Sequence, residues 1–187
     1  VAADRIAVSD EQTLLARRGY YGALSLVDDH VGRILETIIE NDMAEAAVVV
    51  ITSDHGDMLG ERGLWYKMAP FEGSIRVPLI VHAPSRFSMR RIAEPVSLLD
   101  VLPTLVELSE AGPPPVGDGI SLMGALAGDP LPERDIPLEY LAEGVRAPQV
   151  THVRGPLKLV RERGHDDLLY DLGQAPFERK SVPEGAE

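Results

Sequence analysis

The chain has 187 residues, 44% of them hydrophobic and 26% charged, the composition of a globular protein able to bury a core. The 30 acids against 18 lysines and arginines give a formal charge of −12, and no basic cluster is longer than Arg17-Arg18 or Arg90-Arg91, so nucleic acid is not an expected partner. The absence of cysteine excludes disulfides, zinc-thiolate sites and cysteine nucleophiles from this chain.

Ser9-Asp10-Glu11-Gln12 has the pattern of a capping box, in which Ser9 accepts from the Gln12 amide and the Gln12 side chain reaches back. From Leu14 through Leu24, Val27, Val31, Ile34 and Ile38, apolar residues recur at steps of three and four, which predicts a long amphipathic helix. Asn41-Asp42 should end it, because both residues favour turns over helix interiors. Ala46 to Ile51 is a continuous apolar run, the pattern of a strand buried on both faces of a parallel sheet. Such a run is far too short to span a bilayer, and no charged-then-apolar segment opens the chain. A soluble, cytoplasmic protein without membrane partners is therefore expected.

Val77 to His82 reads as a second strand, with Pro78 tolerable near its start. Ser97 to Asp100 should open another helix carrying Val101, Leu102, Leu105, Val106 and Leu108, and Ala111-Gly112 with the following prolines should end it. Residues 112–136 form a Gly/Pro-rich excursion with one short apolar turn from Ile120 to Leu126. Residues 137–187 change character. Pro137 to Tyr140, Gln149 to Arg154, Leu157 to Arg161 and Leu168 to Leu172 predict a small antiparallel subdomain, with Arg154-Gly155-Pro156 as a tight turn and a loosely held tail after Pro176.

The first strand ends in SDHGDMLGERGLWYK. Ligands of open α/β sheets gather at the carboxyl ends of strands, where Asp54 and His55 stand. A carboxylate beside an imidazole suits a divalent cation, and Gly56 frees the backbone next to them. On spacing alone, Asp54-His55-Gly56 is more often a capped turn than a metal site. Lys67 follows a Gly-rich, acid-rich loop that can fold back over the strand end. A lysine beside a cation makes sense when an anion such as sulfate or phosphate lies between them.

The run SDHGDMLGERGLWYKMAPFEGSIRVPLIVHAP resembles the carboxyl-terminal metal-and-lysine motif of the sulfatases, members of the alkaline phosphatase superfamily, and is most similar to the choline-sulfatase branch. ARRGYYGALSLVDDHVGRIL resembles the family's preceding helix, and EYLAEG with LLYDL resembles the end of its chain. The resemblance implies an alkaline-phosphatase-like α/β sulfatase fold. Residues 1–111 would be the carboxyl-terminal half of its α/β domain.

By the same resemblance, Asp54 and His55 are two ligands of an active-site Ca or Mn ion, and Lys67 binds a sulfate oxygen and stabilises charge during transfer. Glu143, with Glu139 second, would hold the quaternary ammonium of choline sulfate; both also read as exposed acids on an edge strand. The family's nucleophile is a formylglycine made from the cysteine or serine of a C-x-P-S-R or C-x-A-x-R motif. That motif does not occur here. His82-Ala83-Pro84-Ser85-Arg86 keeps its P-S-R tail, but His82 stands where the cysteine would be, and a turn after the strand is the better reading.

The chain thus resembles the carboxyl-terminal portion of a sulfatase. Its expected partners are a small-molecule sulfate ester and the missing amino-terminal segment of the same enzyme, and homo-oligomerisation is left open. Without the formylglycine this portion should not turn over alone. A phosphonate monoester or phosphodiester hydrolase of the same superfamily, and a non-catalytic domain, are the rival readings. Asp28, Asp29, His30, His152 and His165 read as exposed or structural. Glu72 and Arg76 read as an ion pair, and Glu61, Arg62 and Trp65 as candidates for shaping the Lys67 loop.

Overall fold

Helix α1 (Asp10–Glu40) starts as its capping box requires. The Gln12 amide donates to Ser9 Oγ at 3.2 Å, and the Ser9 amide donates to Gln12 Oε1 at 2.9 Å. It ends at Asn41, whose side chain donates to the Thr37 carbonyl at 2.8 Å, and Asp42 turns the chain with φ 56°. The computed structural model describes residues 8–113, 116–141, 147–174 and 178. The chain divides into two compact units, Val1–Arg86 and Phe87–Glu187.

In the first unit, β1 (Val49–Thr52) pairs with β4 (Leu79–His82) as an antiparallel ladder, from Val49 opposite His82 to Thr52 opposite Leu79. The continuous apolar run had implied a parallel sheet. It reports that both faces of a strand are apolar but carries no information on direction, which the return of the chain through residues 53–78 sets here. Among the described residues neither face is fully covered: β1 is at most half-buried, Ile80 on β4 is 53% exposed, and no residue of α1 is buried. Between the two strands lie a short hairpin of β2 (Met58–Leu59) and β3 (Trp65–Tyr66) and the single-turn helix α2 (Glu72–Ile75). Met58 and Ala69 are the buried apolar residues at this point.

The second unit begins with a capping box of its own. The Leu99 amide donates to Ser97 Oγ at 3.2 Å and the Ser97 amide to Asp100 Oδ2 at 2.8 Å, ahead of α3 (Val101–Leu108). The short apolar turn of the excursion is α4 (Met123–Ala127), stopped by Gly128 at φ 120°. The strands β5 (Ile136–Tyr140), β6 (Gln149–Arg154), β7 (Leu157–Glu162) and β8 (Leu168–Asp171) form an antiparallel meander in that order. Gly155, at φ 53°, makes the β6–β7 turn.

Strand alternation gives this meander one buried face, with the row Ile136, Val153, Lys158 and Tyr170 each directly across from the next and the buried pair Thr151 and Val160 beside it. Lys158 therefore points inward from β7 with Val160, while Leu157 is 46% exposed. Its ammonium pairs with Glu178, itself buried. That corrects the expectation of a loose tail at this residue; the rest of the tail beyond residue 174 lies outside the described residues.

Asp100 is wholly buried and ties the excursion down. Its carboxylate accepts from the amides of Ser97 (2.8 Å) and Ile120 (2.9 Å) and from the Arg134 guanidinium. Thr104 Oγ1 donates to the Asp100 carbonyl at 2.6 Å and accepts from the Leu122 amide at 2.9 Å. Gly119 passes so close to the Leu99 carbonyl that a side chain there would collide with it.

Candidate active site

β1 delivers Ser53, Asp54 and His55 at its carboxyl end, and local hydrogen bonds fix their turn. Ser53 Oγ donates to the His55 carbonyl at 2.7 Å, and the His55 amide donates to Asp54 Oδ1 at 3.0 Å. His55 Nδ1 lies 2.8 Å from the Gly56 carbonyl, which can only accept, so Nδ1 carries a proton and Nε2 is the ring nitrogen left to face a ligand. Nε2 stands 3.5 Å from Asp54 Oδ2. The amide of His55 holds the Asp54 carboxyl below its ordinary pKa; desolvation opposes this, and the charges of His55 and Lys67 add to the lowering.

Gly56 is needed where it stands. Its amide donates to the Ser74 carbonyl at 2.7 Å, and a Cβ on it would run into the Gly73 carbonyl oxygen. The β2–β3 hairpin that carries Lys67 turns through four left-handed residues, Gly60 (φ 96°), Arg62 (57°), Gly63 (69°) and Tyr66 (66°). Non-glycine residues persist there only where their surroundings insist. Arg17 of α1 supplies part of that insistence, donating from Nε to the Leu59 carbonyl (2.9 Å) and from a terminal nitrogen to Glu61 (3.0 Å). Glu61 also accepts from the Leu59 amide at 2.6 Å. The Arg62 guanidinium sits 4.2 Å from the Phe71 ring centroid. Trp65 packs against Gly60, where a Cβ would stand 3.2 Å from the indole. Among the described residues no hydrogen bond or ion pair engages the Lys67 side chain, which is exposed.

Asp54 Oδ2 and His55 Nε2 fit a divalent cation in chemistry and in spacing. One is an exposed, ionised carboxylate and the other an imidazole nitrogen whose ring is oriented by a carbonyl behind it. They are two donors, and among the described residues no group of three or more His, Asp or Glu gathers. A hard cation takes about six ligands or more, so the rest would come from outside these residues.

Other expected residues fall as follows. Glu139 is exposed on β5, an edge strand, opposite Val150; Glu143 lies outside the described residues. His82 closes β4 opposite Val49 and Ala83 to Arg86 form a turn, with the Arg86 amide donating to the Ala83 carbonyl at 2.9 Å. Glu72 pairs with Arg76 at 3.8 Å. His152 Nδ1 meets Asp135 at 2.6 Å, a partner on a distant strand end that no local spacing signalled. Among the described residues no helix is long and apolar enough to cross a membrane.

Residues 4–111 match the family model described as Sulfatase. A choline-sulfatase of Rhizobium meliloti (strain 1021) is 38% identical over 182 residues, covering 95% of this chain and 35% of the relative. Arylsulfatase K of Danio rerio is 36% identical over 109 residues, covering 58% and 20%. The crystal structure of a phosphonate monoester hydrolase from Agrobacterium radiobacter superposes with a TM-score of 0.81 at 25% identity, over 95% of this chain and 39% of that one. The chain spans about a third or less of the length of these curated relatives. The fold is the alkaline-phosphatase-like α/β fold of sulfatases, with a trailing antiparallel sheet. With the matched family model spanning both the β1 turn and the Lys67 hairpin, the chain belongs to the sulfatase family.

Proposed function

We propose that the chain is the carboxyl-terminal part of a metal-dependent sulfuric ester hydrolase that cleaves a small sulfate monoester, choline sulfate foremost, to an alcohol and sulfate. The observation that carries this reading is that Ser74 ties the two segments together: its carbonyl accepts from the Gly56 amide at 2.7 Å, beside Asp54-His55, and its hydroxyl donates to the Lys67 carbonyl. An exposed carboxylate, an oriented imidazole and an unengaged ammonium are what a cation and a tetrahedral anion bound side by side would need.

Asp54 and His55 would hold the cation, Ca or Mn, which when bound polarises a sulfate oxygen and the nucleophile. Lys67 would take a second sulfate oxygen and meet the negative charge that grows as the ester bond breaks. Glu139 and Glu143 are the candidates for an ammonium group on the leaving alcohol. The amino-terminal portion of the same enzyme is the partner this reading requires. It would bring the formylglycine nucleophile and the remaining carboxylate ligands, and it would cover surfaces left open here, such as Leu15 (70% exposed) and Ile34 (60%) on α1. The chain alone is then inactive.

The similarity to a choline-sulfatase over 95% of the chain supports the choline reading. The superposition on a phosphonate monoester hydrolase supports a second reading, hydrolysis of a phosphonate monoester at the same site. Steady-state assay of the full-length enzyme on choline sulfate and on an aryl phosphonate monoester separates the two. A larger kcat/KM for choline sulfate is expected, and equal or better phosphonate turnover overturns it.

A further inference from the structure

Ser74 stands where the two halves of the candidate site meet. It is 2% exposed, in the one-turn helix α2, and its amide donates to the Phe71 carbonyl at 2.8 Å. Its carbonyl accepts from the amide of Gly56, the residue that follows Asp54-His55, at 2.7 Å. Its hydroxyl donates to the backbone carbonyl of Lys67, and that carbonyl also accepts from the Ala69 amide at 2.8 Å. One buried residue therefore holds the turn proposed to bind the cation through its main chain and the lysine proposed to bind the anion through its side chain. The close packing of the neighbouring glycines fixes it there: a Cβ on Gly73 would press on Met58 Sδ at 3.0 Å, and one on Gly56 would strike the Gly73 carbonyl. The Lys67 side chain itself has no hydrogen-bonding partner among the described residues, so its backbone is what sets where its ammonium can reach.

We propose that Ser74 is a positioning residue for Lys67, fixing the height of the lysine over the Asp54-His55 turn. This rests on the sulfate-binding role given to Lys67 above. A misplaced charge loses transition-state stabilisation before it loses ground-state binding, so removing the hydroxyl should act on kcat more than on KM.

The test is a double-mutant cycle in the full-length enzyme, with Ser74→Ala, Lys67→Ala and the combined variant assayed on the enzyme's sulfate ester and analysed for bound metal. Ser74→Ala should lower kcat roughly three- to tenfold, the rate equivalent of one lost hydrogen bond. Bound metal should be unchanged, because the main-chain link to Gly56 survives. In the Lys67→Ala background the same change should cost less than about twofold, since a positioning residue has nothing left to position. An equal loss in both backgrounds, or no loss in the parent, overturns the inference and shows a merely structural serine. A Lys67→Ala enzyme with parental turnover overturns instead the role of the lysine. If Ser74→Ala does not fold, Ser74→Cys, which fills the space with only a weak donor, takes its place in the cycle.

Discussion

Replacing Asp100 by alanine should unfasten the Gly/Pro-rich excursion from the second unit. The carboxylate is wholly buried and serves the amides of Ser97 and Ile120 and the guanidinium of Arg134, which is itself only 19% exposed. Each hydrogen bond to a charged group contributes roughly 1.5–3 kcal/mol, but the three share one acceptor and do not add. Removing one member of a buried ion pair costs about 3–5 kcal/mol, because the other charge is left without compensation, and this is the better guide. In a full-length protein of the size of the matched relatives, about three times this chain, that lowers the melting midpoint by about three to five degrees. Asp100→Asn keeps one acceptor oxygen and should recover part of the loss. Calorimetry of the full-length protein gives the midpoint, and hydrogen exchange of the Ser97 and Ile120 amides gives the local effect. An Asp100→Ala protein that melts within a degree or two of its parent, with both amides still protected, would refute the reasoning.

Gly56→Ala should destabilise the first unit by a few kcal/mol and reduce bound metal, because the new methyl meets the Gly73 carbonyl; thermal melts and metal analysis read both. Glu178→Ala removes a carboxylate from beside the buried Lys158 ammonium and should also cost a few kcal/mol, whereas pairing Lys158→Met with Glu178→Leu should restore most of the stability, as measured by urea unfolding. Asp54→Ala in the full-length enzyme should strip metal and activity together with little change in stability, since this carboxylate is exposed and among the described residues supports no distant contact. Retention of the full metal complement would show that the ligand assignment is wrong.

Local signals carried most of the fold. The Ser9 capping box, the apolar steps of α1 and the turn residues around β5 to β8 each express physics within a few positions, and the structure follows them closely. Three features depend on partners far along the chain, and local pattern could not show them. The apolar run of β1 announces burial but not strand direction. Lys158 looks like a solvated charge between two leucines until the register of β7 turns it inward. Asp100 reads as part of a helix start, where it closes the Ser97 capping box, with nothing to signal Ile120 and Arg134.

At the candidate site, the position of Asp54 and His55 at the carboxyl end of β1 was legible from the apolar run before them, whereas the cation and anion roles proposed for them and for Lys67 come from residue chemistry and the family resemblance. The hairpin between them was not legible, since two-residue strands carry no alternation to read. Nor was Ser74, a small residue in the run Glu72-Gly73-Ser74 whose proposed role lies in its hydrogen bonds to Gly56 and Lys67.

The most direct measurement is the kinetics of Lys67→Ala in the full-length enzyme, with metal content determined on the same sample. The side chain is exposed and engaged by no hydrogen bond or ion pair among the described residues, so stability should change by no more than about 0.5 kcal/mol. A donor aimed at developing charge is worth about 100- to 1,000-fold in kcat, and a loss of that order with metal retained is predicted. Parental turnover, or a loss that tracks departing metal, would contradict a site in which Asp54 and His55 hold the cation and Lys67 the anion.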